Sequence, residues 1–407
     1  MLDNHALAPR FAALRGFLAR HEALWKPRPF TQLVLPWEAD YPALAAWLRQ
    51  RSLEEAEHAA LAPVDNRAPS PLPALAEEAR MLGDPGALPG VDLGAAPPRL
   101  DRDVPGRKWQ QIEAFGRHLA FTRPVTHWVD WCGGKAHLGR RLLQPGQHLT
   151  CLEYDPALVE DGRLLSERYQ LPATHRTQNV MADDLTLQPA DTPVALHACG
   201  DLHVKLLRLA SNQGCGQLAI APCCYNRTAA DTYQPLSAAG QALPLNLNRD
   251  DLGLPASEAV TAGARERRQR DISMARRLGF DLLQRHARGS SEYLPTPSLP
   301  VSWLRASFAD YCQHLAGLKG VELGPSQNWA HWEALGWERL AQVRNLERVR
   351  NLFRRPLELW LVLDRALYLK EHGYEVRVGT FCEPALTPRN LLILADGIPV
   401  DNSVNKL

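Results

Sequence analysis

The chain has no apolar run approaching the roughly 20 residues that cross a bilayer, and no uninterrupted apolar core near its N-terminus of the kind a secretory leader carries. It lacks a cysteine framework. Its eight cysteines include the adjacent pair Cys223 and Cys224 but no C-x2-C pair, which suits reduced thiols in a cytoplasm and excludes a secreted disulfide scaffold. It also lacks a charge of one sign. Forty-six Lys and Arg stand against forty-five Asp and Glu, with a pI near 7.7, so it has no wholesale basic coat for nucleic acid. Internal repeats are absent. The 407 residues are 45% hydrophobic and 22% charged, which is ordinary globular composition, and the length predicts two or three domains. Arginine far outnumbers lysine among many Ala, Leu and Pro, a bias read as GC-rich codon usage in a bacterium.

Residues 1–62 show helical periodicity and are expected to form an N-terminal helical region. Residues 63–105, rich in Pro, Gly and Ala, are expected to be a linker. From 106 the chain alternates apolar or β-branched runs (125–132, 148–155, 174–181, 193–200 and 217–225) with helical stretches at 136–144, 156–170 and 201–211. That alternation predicts βαβ units in an α/β fold, a doubly wound, mostly parallel sheet with its site at the strand C-termini. Residues 226–354 are expected to be a mostly helical insertion. A strong amphipathic helix over 356–373 and strands at 374–382 and 390–396 are expected to close a seven-stranded sheet, leaving 401–407 as a tail.

The first predicted strand ends in Asp130-Trp131-Cys132-Gly133-Gly134-Lys135-Ala136-His137. An acidic residue delivered into a Gly turn that opens a helix is a nucleotide-handling arrangement. The second strand ends in Glu153-Tyr154-Asp155, and a carboxylate there accepts hydrogen bonds from ribose hydroxyls. The glycines do not follow the G-x-G-x-x-G spacing that clears room for a dinucleotide pyrophosphate. An Asp beside the turn suits instead the cationic methionine part of S-adenosylmethionine. The bland alternatives are a Gly turn that merely closes a corner and a solvated Glu at a strand end.

On these residues the chain resembles the class I S-adenosylmethionine-dependent methyltransferases. Cys132 and Ala136 replace the outer glycines of their first motif, and Gly134 holds the middle one. His197-Ala198-Cys199-Gly200-Asp201-Leu202, Cys223-Cys224-Tyr225, Leu363-Asp364-Arg365-Ala366-Leu367-Tyr368-Leu369 and Thr387-Pro388-Arg389-Asn390 resemble motifs of one methyltransferase-domain family. Its eukaryotic members are called methyltransferase-like or ribosomal RNA adenine dimethylase domain-containing proteins. A tRNA 2′-O-methyltransferase family is similar more distantly. Arg107-Lys108 resembles the start of a further element, with Gln110 and Gln111 replacing His and Glu. The resemblance spans 105–230 and 356–396.

It implies S-adenosylmethionine as cofactor, with Asp130, Cys132, Gly133, Gly134, His137, Glu153, Tyr154, Asp183 and Cys199 at its site. Asp201, His197 and Tyr225 are the expected catalytic residues. Lys108, Cys223, Cys224, Asn226, Arg389 and Asn390 are expected to face the substrate. Asp201 could equally cap the helix that follows it; His197 could be a core histidine, Tyr225 a packing aromatic, and Arg389 a salt-bridge partner. The cysteines at the strand ends are expected to be plain thiols, with no metal. Eight Arg against three acidic residues in 261–290, and six against one in 339–355, with Trp303, Trp329, Trp332 and Trp337 between, suggest RNA held by helices 265–288 and 344–355. The solvated helix face with core tryptophans is the alternative. A protein or small-molecule acceptor stays open, as does a non-catalytic module that binds cofactor or RNA.

Overall fold

The structure, a computed structural model, describes residues 1–60, 67–257, 263–324 and 326–398. The expected tail at 401–407 and residues 63–66 of the expected linker lie outside the described residues. Seven strands form one mixed sheet: β1 (His127–Trp131), β2 (His148–Glu153), β3 (Ala173–Thr177), β4 (Asp191–Cys199), β5 (Gln217–Cys223), β6 (Tyr374–Thr380) and β7 (Leu391–Gly397). Their order is β3-β2-β1-β4-β5-β7-β6. The first five are parallel and β7 runs antiparallel to both neighbours. Because β1 leads to β2 on one side and the chain later returns to β4 on the other, the connections diverge between β1 and β4. A crevice opens at the strand C-termini there. β5 is buried at every residue, as a strand covered on both faces must be.

The chain folds as two compact units that cut across the expected boundaries. One comprises Met1–Arg20, Leu82–Val260 and Arg354–Leu407; the other comprises His21–Met81 and Thr261–Phe353. Residues 1–62 are therefore not one region. Phe11 of the helix Leu7–Arg20 stacks on Trp360 at 5.1 Å, and Leu2 pairs with Val378 of β6, so the first twenty residues belong with the sheet. Residues 226–257, expected within the insertion, also belong with it. The expected linker holds a twelve-residue helix, Leu72–Gly83.

In the sheet unit, Ile112 and Phe115 of the helix Gly106–Gly116 meet Trp128, Leu149, Val194, Ala219 and Leu394 of the strands in one core. The helix Arg354–Glu371 corrects the amphipathic expectation. Pro356 to Leu369 are buried without exception, so the helix has no solvent face. Its buried charged groups are paired, as burial requires, while Trp360 Nε1 is buried without a partner. Asp364 accepts from Leu236 N, Ser237 N, Ser237 Oγ and Tyr233 Oη at 2.6–3.1 Å. Arg365 Nε donates to His203 Nε2 at 2.7 Å. The Leu363-Asp364-Arg365 motif is thus a clamp that fixes 233–237 against the sheet. In the other unit the long helices Ala264–Arg288 and Trp329–Asn351 pack together through Ala275, Leu278, Leu340 and Val343.

Candidate active site at the C-terminal ends of the strands

Seven non-glycine residues in the described chain hold a positive φ, and four of them lie where β1, β4 and β5 end: Cys132 (54°), Ala136 (57°), His197 (65°) and Cys224 (48°). Each such residue costs on the order of 1–2 kcal/mol. Strain concentrated in this way marks a site whose geometry the fold over-determines. The two replaced glycines of the first motif therefore keep the glycine conformation. Gly133 has no room for a Cβ, which would stand 2.6 Å from Asp130 Cγ, whereas a Cβ on Gly134 would meet nothing within 4 Å.

Asp130 is 2% exposed, and its Oδ2 accepts the Gly139 N–H at 2.9 Å. Burial raises its carboxyl to about 6, opposed by the Gly139 hydrogen bond and by Lys108 and Arg140. An acid harder to ionise in the folded chain than in the unfolded one destabilises the fold once pH passes both values. Asp130→Asn keeps an acceptor for Gly139. It is therefore expected to gain stability relative to the native chain as pH rises from 4 to 7, by roughly 3 kcal/mol at most. Urea unfolding midpoints across that range check this; a difference that does not change with pH would refute it.

Glu153 joins the two halves of the turn. Its Oε2 accepts Gly134 N–H at 2.9 Å, and its Oε1 accepts Tyr154 N–H at 2.9 Å and Asp155 N–H at 3.0 Å. Three of a carboxylate's four acceptor positions are thereby used, leaving room for one further donor. Asp155 caps the next helix through Ala157 N–H at 2.9 Å. Tyr154 is 73% exposed. Asp183 is exposed after β3 and pairs with Lys205 at 3.3 Å.

His137 departs from the expected cofactor contact. It is buried, its Nδ1 accepts from Arg140 Nη2 at 2.9 Å, and burial together with Arg140 lowers it to about 3. Arg140, which the sequence did not single out, is 2% exposed and also donates to the carbonyls of Lys135 and Gly162, locking the turn from behind.

On β4 the pairing with β5 shifts register between Leu196 and Ala198, so His197 is the bulged residue. Bulges re-aim side chains beside sites. Gln111 Nε2 donates to Leu386 O at 3.2 Å, which turns its Oε1 toward His197 Nε2 at 3.1 Å. The His197 proton therefore sits on Nε2. Nδ1 is left as a buried acceptor with no partner. Burial and the Arg389 charge lower the ring to about 4, so it is neutral at pH 7. Gly200 is the cap of the helix Asp201–Asn212, and Asp201 is the helix's first residue. Asp201 does not cap. Its Oδ2 accepts Ala229 N–H at 2.8 Å and its N–H donates to Arg227 O at 3.0 Å, folding the 224–229 loop over the strand ends.

Tyr225 is not a stacking surface. It is 3% exposed and lies under Arg365, whose guanidinium is 5.0 Å from its ring. Asn226 is exposed on the loop. Asn390 is buried, donating to Cys382 O and accepting from Arg355 Nη2 at 2.9 Å; it closes the β6–β7 loop and is not placed to meet a substrate. Among the described residues Arg389 forms no salt bridge and instead donates to Ala256 O at 3.1 Å. Lys108 is exposed on the first turn of its helix, with no hydrogen bond or ion pair among the described residues. Its neighbour Arg107 holds the carbonyls of Ala385 and Leu386. Cys199, Cys223 and Cys224 bring their sulphurs within 4.8 Å of one another, while Cys132 stands apart from that group.

The arginine helices behave differently from the RNA expectation. Arg344 pairs with Asp271, and Arg355 with Glu358. Arg348 lies 5.3 Å over the Trp47 ring. Arg276 and Arg277 donate to the carbonyls of Trp303, Ala306 and Thr296. Trp303, Trp329 and Trp332 pack on the core around Phe280 and Phe308, and Trp337 is 37% exposed. Arg265, Arg268 and Arg270 remain exposed.

A family model described as a methyltransferase domain matches residues 107–231. A search of the curated proteins finds no match. Among solved structures, the tRNA (uracil-54, C5)-methyltransferase of Pyrococcus abyssi with S-adenosyl-L-homocysteine is 14% identical, over 28% of this chain and 29% of that one (TM-score 0.25). Geranyl diphosphate methyltransferase with its substrate and sinefungin is 17% identical over 38% and 61% (TM-score 0.26). A protein of Bordetella parapertussis titled a possible exported protein is 14% identical over 88% and 96% (TM-score 0.29). The chain thus spans less than two thirds of each of the first two. Likenesses of this size leave the family model as the finding that bears on function. Residues 107–231 match a methyltransferase-domain family model, which covers under a third of the chain.

Proposed function

We propose that the chain transfers the methyl group of S-adenosylmethionine to RNA, on a Rossmann-like class I methyltransferase fold. The observation that carries the cofactor half is the Gly134–Glu153 hydrogen bond. It sets an uncluttered glycine beside a carboxylate with acceptor capacity left for a ribose hydroxyl, at the crevice where such folds bind nucleotides. The cofactor supplies a methyl group on a sulfonium. The protein's part is positioning. Glu153 holds the ribose, and the Cys132–Ala136 turn presents backbone to the cofactor. Asp201 faces the acceptor as a group able to take a proton, and His197 stays neutral with its unpartnered Nδ1 buried. Lys108, Asn226 and Arg389 lie around the same strand ends.

RNA rests on the exposed Arg265, Arg268 and Arg270, the part of the basic stretches not spent on internal bonds. That most of those arginines are bonded within the protein favours a second reading, a protein or small-molecule acceptor. The test is transfer of labelled methyl from S-adenosylmethionine to total RNA of a strain lacking the gene. Label in RNA is expected, with Asp201→Asn retaining cofactor affinity and losing at least 100-fold in turnover. RNA affinity should fall with salt at a log–log slope of about 0.7–0.9 per phosphate contact, and Arg265, Arg268 and Arg270 changed together to Ala should flatten it. Label appearing only in protein or small molecules would overturn the RNA reading.

A further inference from the structure

We propose that Cys199, Cys223 and Cys224 form a site for one thiophilic metal ion of the zinc class, held by three thiolates with a fourth position open. The inference goes beyond the methyl-transfer reading and does not depend on it. Among the described residues this is the one group of His, Cys, Asp or Glu side chains close enough to share an ion.

Consecutive residues of a strand point to opposite faces, so Cys223 and Cys224 should diverge. They converge because Cys224 adopts a left-handed φ of 48°, which swings its side chain back toward its neighbour's. Cys199 reaches the same point because the bulge at His197 shifts β4 by one residue, leaving Cys199 opposite Cys223 in the register. Two strained non-glycine conformations, at His197 and Cys224, thus deliver three sulphurs to one place.

The spacing suits an ion. Zinc–sulphur bonds of about 2.3 Å in a tetrahedron put sulphurs about 3.8 Å apart. Cys199 Sγ and Cys223 Sγ are 3.6 Å apart, and all three sulphurs lie within 4.8 Å, so closure needs only small side-chain rotations. None of the three is in a disulfide. Cys223 is buried, while Cys199 and Cys224 are partly exposed, which gives an ion an entry path and a side for its fourth ligand. Three thiolates and a divalent cation leave one negative charge, and Arg227 and Arg389 supply positive charge at Cys224. On binding, each remaining S–H proton leaves to water as a metal–sulphur bond forms. No electron moves, so no oxidant is required.

The test uses the full chain, reduced and stripped with a chelator, titrated with Co²⁺ and then Zn²⁺. One equivalent of Co²⁺ is expected to give an intense near-ultraviolet sulphur-to-cobalt band, which Zn²⁺ then bleaches. Cys224→Ser should weaken Zn²⁺ at least 100-fold, while Cys382→Ser, outside the trio, leaves it unchanged. Should Cys224→Ser fail to fold, the native chain still decides. One equivalent of Zn²⁺ should slow alkylation of Cys199 and Cys224 by iodoacetamide at least tenfold, read by peptide mass spectrometry. The proposal is overturned by absence of the cobalt band, by its persistence in folded Cys224→Ser, or by alkylation indifferent to zinc. It is equally overturned if the reduced chain binds no metal and Cys199 and Cys223 simply oxidise to a disulfide. Cofactor binding measured on the same samples separates the outcomes. Loss of S-adenosylmethionine binding with the cobalt band intact removes the methyl-transfer reading and leaves the metal site standing.

Discussion

Glu153→Ala is expected to weaken S-adenosylmethionine binding by 100-fold or more, measured by titration calorimetry. A hydrogen bond to a charged group is worth about 1.5–3 kcal/mol. The substitution removes the carboxylate from the proposed ribose contact and from the Gly134, Tyr154 and Asp155 N–H groups that it now satisfies. The loss is therefore double, in the direct contact and in the turn that presents backbone to the ligand. Glu153→Gln is the sharper variant. Its amide offers an N–H₂ where every present partner is itself a donor, so one N–H must face another or the side chain must leave. Affinity should fall at least tenfold even though the shape is unchanged. Because three N–H groups lose their acceptor, Glu153→Ala should also unfold at lower urea; binding is to be measured where both chains remain folded. A change of less than fivefold in both variants would remove Glu153 from the cofactor site.

Gly200→Ala is expected to destroy turnover and to cost about 3–5 kcal/mol of unfolding free energy, in the range of the most disruptive single substitutions. Gly200 has φ 51° and ψ −124°, a region that L side chains rarely enter. A Cβ there would stand 1.8 Å from Arg227 O and 2.6 Å from Arg227 C, which are backbone atoms with no rotamer to relieve the overlap. The 224–229 loop would have to lift. That breaks the Asp201 N–H bond to Arg227 O and withdraws Ala229 N–H from the Asp201 carboxylate. Gly134→Ala is the matched control. It shares a positive φ of 58° yet faces open space, so it should cost only about 1 kcal/mol. Equal effects of the two would show that conformation, and not the loop's close approach, sets the constraint. Full turnover in Gly200→Ala would refute the role of that loop.

The sequence by itself determined the seven strands and the helices between them, because apolar period and Gly or Pro punctuation act within a few residues. It also determined that Asp130, the Gly133-Gly134 turn and Glu153 would meet, since adjacent parallel strands carry their C-terminal residues to one edge. What only the tertiary structure decided is the fate of side chains whose partners lie far along the chain. Arg344 looks like a phosphate-binding residue in a list of charges, and it is instead paired within the protein because Asp271, 73 residues earlier, stands opposite it. Tyr225 was drawn under Arg365, 140 residues later, and not toward solvent. Residues 1–62 divided near Arg20 because Trp360 offers Phe11 a stacking partner that nothing local predicts. The proton on His197 Nε2 depends on Gln111, which depends in turn on Leu386 O. The meeting of Cys199, Cys223 and Cys224 required a bulge and a left-handed residue. Local pattern favours neither, since both cost energy on their own. They persist because the surrounding sheet, loop and buried helix leave the backbone no other path.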